Sequence, residues 1–140
     1  MKNTFYLNLS TADSLGIALF KYSIFPDERF IITNSALALM LGYNAKSEIK
    51  RFTFTDLFVS QTEKEEFLGT LKRNGNVHFF ETRFRKSDGK PLWVAITASV
   101  ITSRERDKYV EGIIEDISSH KEMEEKLALE KDMLQNLLDN

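Results

Sequence analysis

Any chemistry in this chain has to come from two histidines, its carboxylates and its hydroxyls, because it contains no cysteine. That excludes disulfides, thiol nucleophiles, zinc–thiolate centres and any cofactor held through cysteine. His78 and His120 lie far apart in the chain, and no Asp/Glu cluster is expected to complete a metal site around either. His78 stands near the start of a strand, on the phase opposite Phe79, and His120 falls in the first turn of the last helix. Both read as surface residues. A glycine-rich phosphate loop, a nucleophile elbow and a His-Glu-x-x-His pair are all missing. Most acidic residues share helical faces with Lys or Arg, the pattern of a solvated surface. The chain therefore reads as non-enzymatic and metal-free, and its informative residues are apolar.

The 140 residues fit one domain, with 42% hydrophobic and 29% charged residues as in a soluble globular fold. Eleven phenylalanines point to an aromatic interior. A net charge of −2 argues against a general nucleic-acid surface. No apolar run approaches the roughly 18 residues a bilayer span requires. The N-terminus, MKNTFYLNLSTADS, lacks the apolar core of a secretory signal. A cytoplasmic location fits these features.

The apolar residues must be positioned by the elements that their spacing predicts. After a weakly helical lead-in over Phe5 to Asp13, Gly16 to Ser23 and Arg29 to Thr33 read as two strands joined by a turn at Pro26-Asp27. Asn34 or Thr33 caps a short helix that Gly42 stops. SEIKRFTFTDLF reads as one or two broken helical turns. A longer helix carries a Thr62–Glu65 capping box, an apolar face of Phe67, Leu68 and Leu71, and a stop at Gly75. From Val77 the pattern alternates: Phe80, Thr82 and Phe84 share one face, while Glu81, Arg83 and Arg85 share the other. Asp88-Gly89 marks a hairpin. Leu92, Val94, Ile96, Ala98 and Val100 continue the inward phase, and the strand YVEGIIEDI leads into a helix from Ser119 to Asn140. Two strands, then helices, then three strands predict an α+β fold: one antiparallel sheet with helices on one face.

Several residue patterns resemble the PAS sensor family. They are the asparagine-led NSALALMLGY, the turn FTFTDLF, the paired strands FFETRFRKSDGKPLWV, and Asp116-Ile117-Ser118 at the domain exit, where Ser118 stands for a more usual threonine. Their order and spacing carry the resemblance over about Leu9 to Lys121. It implies a five-stranded antiparallel sheet in order 2-1-5-4-3, short helices on its inner face and a C-terminal exit helix. The expected division is a lead-in cap at 1–13, a sensor domain at 14–118 and a linker helix at 119–140.

The resemblance also implies a pocket between sheet and helices, walled here by Phe20, Leu37, Met40, Leu41, Phe58, Phe67, Leu71, Phe80, Thr82, Phe84, Val94, Ile96 and Ile114. The same side chains equally suit a filled core. Its cofactor is unknown. Flavin-photoadduct relatives and those with a cysteine-linked chromophore need a cysteine, and haem-binding relatives use a histidine on the long helix, which has none here. Trp93, Ala95, Ile101, Tyr109 and Ile113 fall on the outer phase and need a cover, either the N-terminal segment with Phe5, Leu7 and Leu9 or a second protomer.

Asp116, Ile117 and Ser118 are the expected signal relay. Ser119 with Glu122 fits a capping box for the exit helix, with Ser118 as the alternative cap; Asp116 can accept from the backbone or a nearby basic residue, and Ser118 can otherwise bond Asp116. Met123, Leu127, Leu134 and Leu137 follow a coiled-coil spacing with Glu130 in one core position; the helix either pairs with a second copy, or packs on its own domain or frays. DMLQNLLDN resembles the lead-in to a further domain of this kind, so the chain reads as the N-terminal module of a longer signalling protein. The resemblance implies a non-catalytic, homodimeric sensor of a small ligand or partner. Its exit helix would drive a downstream histidine kinase or cyclic-dinucleotide cyclase or phosphodiesterase. The alternative is a ligand-free dimerisation and spacing module.

Overall fold

The computed structural model describes residues 8–139, so the expectations for Phe5 and Leu7 lie outside the described residues. Helix α1 (Leu9–Leu15) precedes the hairpin β1 (Ala18–Phe25) and β2 (Arg29–Thr33). Helix α2 (Ser35–Met40), a 3-10 turn (Lys46–Arg51), α3 (Phe54–Leu57) and α4 (Gln61–Asn74) follow. Strands β3 (Asn76–Arg85), β4 (Pro91–Thr102) and β5 (Lys108–Asp116) complete the sheet before α5 (Ser118–Leu138). The five strands run antiparallel in the order β2-β1-β5-β4-β3, as expected. The first and last elements of the domain thus meet at the sheet's centre, with β5 between β1 and β4.

Period-two alternation decides which side chains enter the core. Ala18, Phe20 and Tyr22 point inward from β1, Val94, Ile96 and Ala98 from β4, and Val110 and Ile114 from β5; all are buried. Between Val110 and Ile114, Gly112 has to stay a glycine: a Cβ there would lie 2.2 Å from the Thr97 carbonyl oxygen and 2.7 Å from the Ala98 Cβ. The sequence pattern did not disclose a bulge in β3. The register shifts between Val77 and Phe80, with Phe79 at φ 55° and its N–H donating to Thr97 Oγ1 at 3.1 Å. The extra residue lets Val77 and Phe80 both face inward, although an unbroken alternation would put them on opposite faces. It also turns His78 out to solvent.

Asn34 joins the hairpin to the helices. Its Oδ1 accepts from Leu37 N at 3.2 Å, capping α2, and from Leu19 N at 3.0 Å. Its Nδ2 donates to the Ile17 carbonyl at 2.7 Å. A fully buried amide thereby supplies a helix cap and closes the start of β1. The long helix departs from its predicted start. Ser60, not Thr62, is the cap, accepting from Glu63 N at 3.2 Å. The reason is tertiary: Val59 N donates to the Arg83 carbonyl at 3.0 Å, pinning the chain to β3, so the helix must begin immediately afterwards. Gly75, at φ 79°, stops it as predicted.

Asn34→Ala removes the cap and leaves a buried N–H and carbonyl without partners, so it should cost about 3 kcal/mol in urea unfolding. Asn8→Ala removes only the exposed cap of α1, where Asn8 Oδ1 accepts from Thr11 N, and should cost about 1 kcal/mol or less.

Candidate functional site

The inner face brings the predicted pocket residues together. Phe20, Leu37, Leu41, Phe58, Phe67, Leu71, Thr82, Phe84, Val94, Ile96 and Ile114 are buried, while Met40 and Phe80 are half-buried and pack against them. The aromatic members touch one another: ring centroids are 5.1 Å apart for Phe58 and Phe84, 5.7 Å for Phe58 and Phe67, and 5.4 Å for Phe67 and Phe80. At their centre is Phe54, which sequence reasoning passed over as part of a turn. Its ring stacks on Tyr22 at 3.9 Å and meets Phe30 at 5.3 Å and Phe20 at 5.8 Å, edge to face. The available signal was its place at the start of a short helix inside a phenylalanine-rich turn.

Two hydroxyls that reach this interior are engaged by carboxylates. Thr82 Oγ1 donates to Glu63 Oε1 at 3.1 Å, so its hydroxyl is already engaged by α4. The Tyr22 hydroxyl accepts from Phe54 N at 3.1 Å and donates to Glu28 Oε1 at 3.3 Å. Burial pushes the Tyr22 hydroxyl well above the usual tyrosine range, and the nearby Glu28 carboxylate pushes in the same direction.

The exit junction is built differently from its predicted cap. Neither Ser119 nor Ser118 caps α5 through its side chain; Ile117 occupies the cap position, with no side-chain cap bond. Asp116 takes that part instead, its Oδ1 accepting from Ser118 N at 2.9 Å and from Ser118 Oγ at 2.6 Å. Ile117 is buried, and its N–H donates to the Trp93 carbonyl at 3.0 Å, extending the β4–β5 pairing by one bond. One turn later Lys121 folds back on the sheet. Its Nζ lies 2.9 Å from Glu81 Oε2, 3.3 Å from Glu124 Oε2 and 4.6 Å from the Trp93 ring centroid. The hydrogen bond to Glu81 raises the Lys121 pKa above the usual lysine value. Arg83 covers the other part of Trp93, its Cζ 5.6 Å from the ring centroid.

The exit also corrects the expectation that no acidic residues gather around a histidine. Glu81, His120 and Glu124 hold ligand atoms within 4.8 Å of one another at the surface, and His120 Nε2 is 2.9 Å from Glu124 Oε1. Lys121 bridges the two carboxylates and offsets one of their two charges. His78 and His120 are both exposed.

Beyond its first turn α5 leaves the domain. None of its residues is buried, and Met123, Leu127, Leu134 and Leu137 are 59–72% exposed. The alternative of packing along its own domain is thereby overturned. On the outer face of the sheet, Ala95 is buried and Trp93 is covered by Lys121 and Arg83. Leu9, Leu19, Ile32, Ile101 and Ile113 line an open groove of about 880 Å³ beside α1.

A family model described as PAS domain matches residues 16–119. No curated protein matches the chain. Among solved structures, the PAS domain of a two-component sensor histidine kinase is 17% identical with a TM-score of 0.60, over 72% of this chain and 85% of that one. A sensory box histidine kinase/response regulator from Burkholderia thailandensis is 15% identical with a TM-score of 0.66, over 91% and 96%. An RNA-binding Light-Oxygen-Voltage receptor is 14% identical with a TM-score of 0.70; the match covers 94% of this chain and 40% of the receptor. At these identities the likeness is one of fold.

The Tyr22 hydroxyl yields a pH prediction. Its folded-state pKa lies above the unfolded value near 10, so its contribution to stability is complete below pH 10 and declines as pH rises beyond it. Tyr22→Phe should lose about 1–2 kcal/mol at pH 7, because Phe54 N–H and Glu28 lose their partner. The gap between wild type and variant in urea midpoint should then narrow above pH 10, whereas parallel profiles would contradict this role.

Proposed function

The chain belongs to the PAS domain family, whose members are generally non-catalytic sensory modules of signalling proteins, and from that premise we propose that it relays a sensed change through α5 to a downstream output domain. The sensor unit is residues 14–118, with 1–13 as its cap and 119–140 as the linker helix. A histidine kinase or a cyclic-dinucleotide cyclase or phosphodiesterase is the proposed output. No helix among the described residues is long and apolar enough to cross a membrane, and a cytoplasmic location goes with this reading.

The observation that carries the proposal is the exit. The central strand passes into a helix through Ile117 alone, and Asp116 and Lys121 tie that helix to the sheet. A displacement of β5 against β4 has no loop to absorb it. The relay residues are Asp116, Ile117 and Ser118. The exposed stripe of Met123, Leu127, Leu134 and Leu137 suits pairing with the same stripe of a second copy. The outer-face groove and the N-terminal segment are further surfaces for that homodimer. Any input acts only through a difference in its affinity for two arrangements of this exit.

The input is a small ligand or a partner, and the inner-face residues from Phe20 to Ile114 are the proposed pocket wall. The mutual packing of their rings favours a second reading, in which the inner face binds nothing and the domain dimerises and spaces its output.

Two outcomes check this function. In a full-length protein with its output domain, Asp116→Ala should change output activity several-fold while costing about 1 kcal/mol or less in thermal unfolding; unfolding without a separable effect on output would remove the joint. In light scattering, the chain should be dimeric, and Leu127→Glu with Leu134→Glu should weaken the dimer. A monomer at all concentrations rules out the helix-paired dimer.

A further inference from the structure

The open edge between α4 and the sheet holds a cavity of about 440 Å³, within the size range of small-molecule sites. Its floor is apolar, made by Ile24 of β1, Leu68 and Leu71 of α4, and Val100 of β4. Its rim is cationic: Lys64 and Lys72 come from α4 and Lys108 from the start of β5, with Glu28 the one carboxylate among its lining residues. Lys64 is engaged, its Nζ 2.6 Å from Thr55 Oγ1 and 3.9 Å from Glu28 Oε1. Among the described residues, Lys72 and Lys108 make no ion pair within 4.0 Å.

We propose that this edge cavity binds a small amphipathic carboxylate, its apolar body on Leu68, Leu71, Val100 and Ile24 and its head group between Lys72 and Lys108. Both halves are needed. The half-exposed floor residues Ile24, Leu68 and Val100 gain from any covering hydrocarbon, but an uncharged ligand leaves two ammonium groups at the rim without a counter-charge. A simple anion pairs with the lysines yet leaves the floor wet. A carboxylate on an apolar chain satisfies both, and its charge-assisted hydrogen bonds are the stronger kind. The cavity opens at one end of the same sheet–helix layer: Leu71 is common to it and the predicted pocket wall, and Ile24, Leu68 and Val100 pack against the core. It is also placed to matter. Lys72 is on α4, and Lys108 opens the strand whose far end is the Asp116 joint, so a bound head group ties the helix layer to the strand that carries α5. Glu28, at the same rim, reaches the core through Tyr22. This consequence rests on the sensory reading above; the binding does not.

The test is an amide NMR titration of the chain with decanoate below its micelle concentration, beside decanol and acetate. Decanoate should give saturable shifts centred on Leu68, Leu71, Gly75, Val100 and Lys108. Decanol should bind about tenfold or more weakly, as expected for loss of a charged hydrogen-bonding group, and acetate should move none of these amides. The double variant K72Q/K108Q should lose about tenfold or more in decanoate affinity, with decanol binding unchanged. Unaltered decanoate affinity in that variant overturns the proposal. So do shifts centred on the outer groove at Ile113, shifts centred on Phe58 and Phe67 inside, or no shifts at all. Should the double variant fail to fold, K72Q and K108Q singly carry the same comparison, each expected to lose part of the affinity. An Asp116→Ala variant with unaltered output would leave a positive binding result standing, and absence of binding would leave the exit joint standing.

Discussion

The interior is organised around the ring of Phe54. It lies against Tyr22, Phe30 and Phe20 from the hairpin and against Phe58 and Phe67 from the helical layer. Its backbone N–H donates to the Tyr22 hydroxyl. One residue therefore fixes how close the short helices come to the sheet, through dispersion and edge-to-face contact on the ring and a buried hydrogen bond on its backbone. Interiors are close-packed, so the position of Phe54 constrains how the neighbouring phenylalanines pack. In the layer between sheet and helices the protein's own rings pack against one another.

The margins of the domain carry its other distinctive features. At one margin α4 stands off the sheet and leaves an apolar floor under lysines. At the other, β5 becomes α5 with a single residue between them. The two are joined by the sheet's central strand, which begins at Lys108 and ends at Asp116. Around this strand the packing is least forgiving: Gly112 has no room for a Cβ because the Thr97 carbonyl and Ala98 crowd it. A strand held that tightly moves as a unit with its neighbours, which is what a mechanical link to the exit helix requires. The salt bridges of Lys121 to Glu81 and Glu124 are partly exposed and individually weak. Their place beside Trp93, and not their strength, is what orients the first turn of α5.

Much of the fold was legible because its determinants are local. Alternation in β4 and β5 assigned the buried faces without tertiary information. Asn34, Gly75 and Asp88-Gly89 acted as punctuation for the same reason: cap geometry, a left-handed φ and a tight turn are properties of a few adjacent residues. The misses share the opposite cause. Thr62–Glu65 is a sound local capping box, but a bond from Val59 to Arg83 starts the helix earlier, at Ser60. Ser119–Glu122 is equally sound, yet the last strand bond, Ile117 to Trp93, places the turn so that Asp116 holds Ser118 instead. The bulge at Phe79 answers to the spacing of Thr97 on the neighbouring strand, which no window around Phe79 contains.

By itself the sequence determined the α+β class, the inward faces and the absence of thiol chemistry, since each follows from residue type and short-range periodicity, while the strand order came only with the family resemblance. Only the tertiary structure decided that the rings pack on one another across the interior and that Lys121 bridges Glu81 and Glu124. It also decided that α5 stands clear of the domain and that Lys72 and Lys108 frame one cavity. Those facts depend on distances between residues far apart in the chain. Such distances are set when the sheet closes and side-chain volumes compete for the same space, and no stretch of sequence contains that competition.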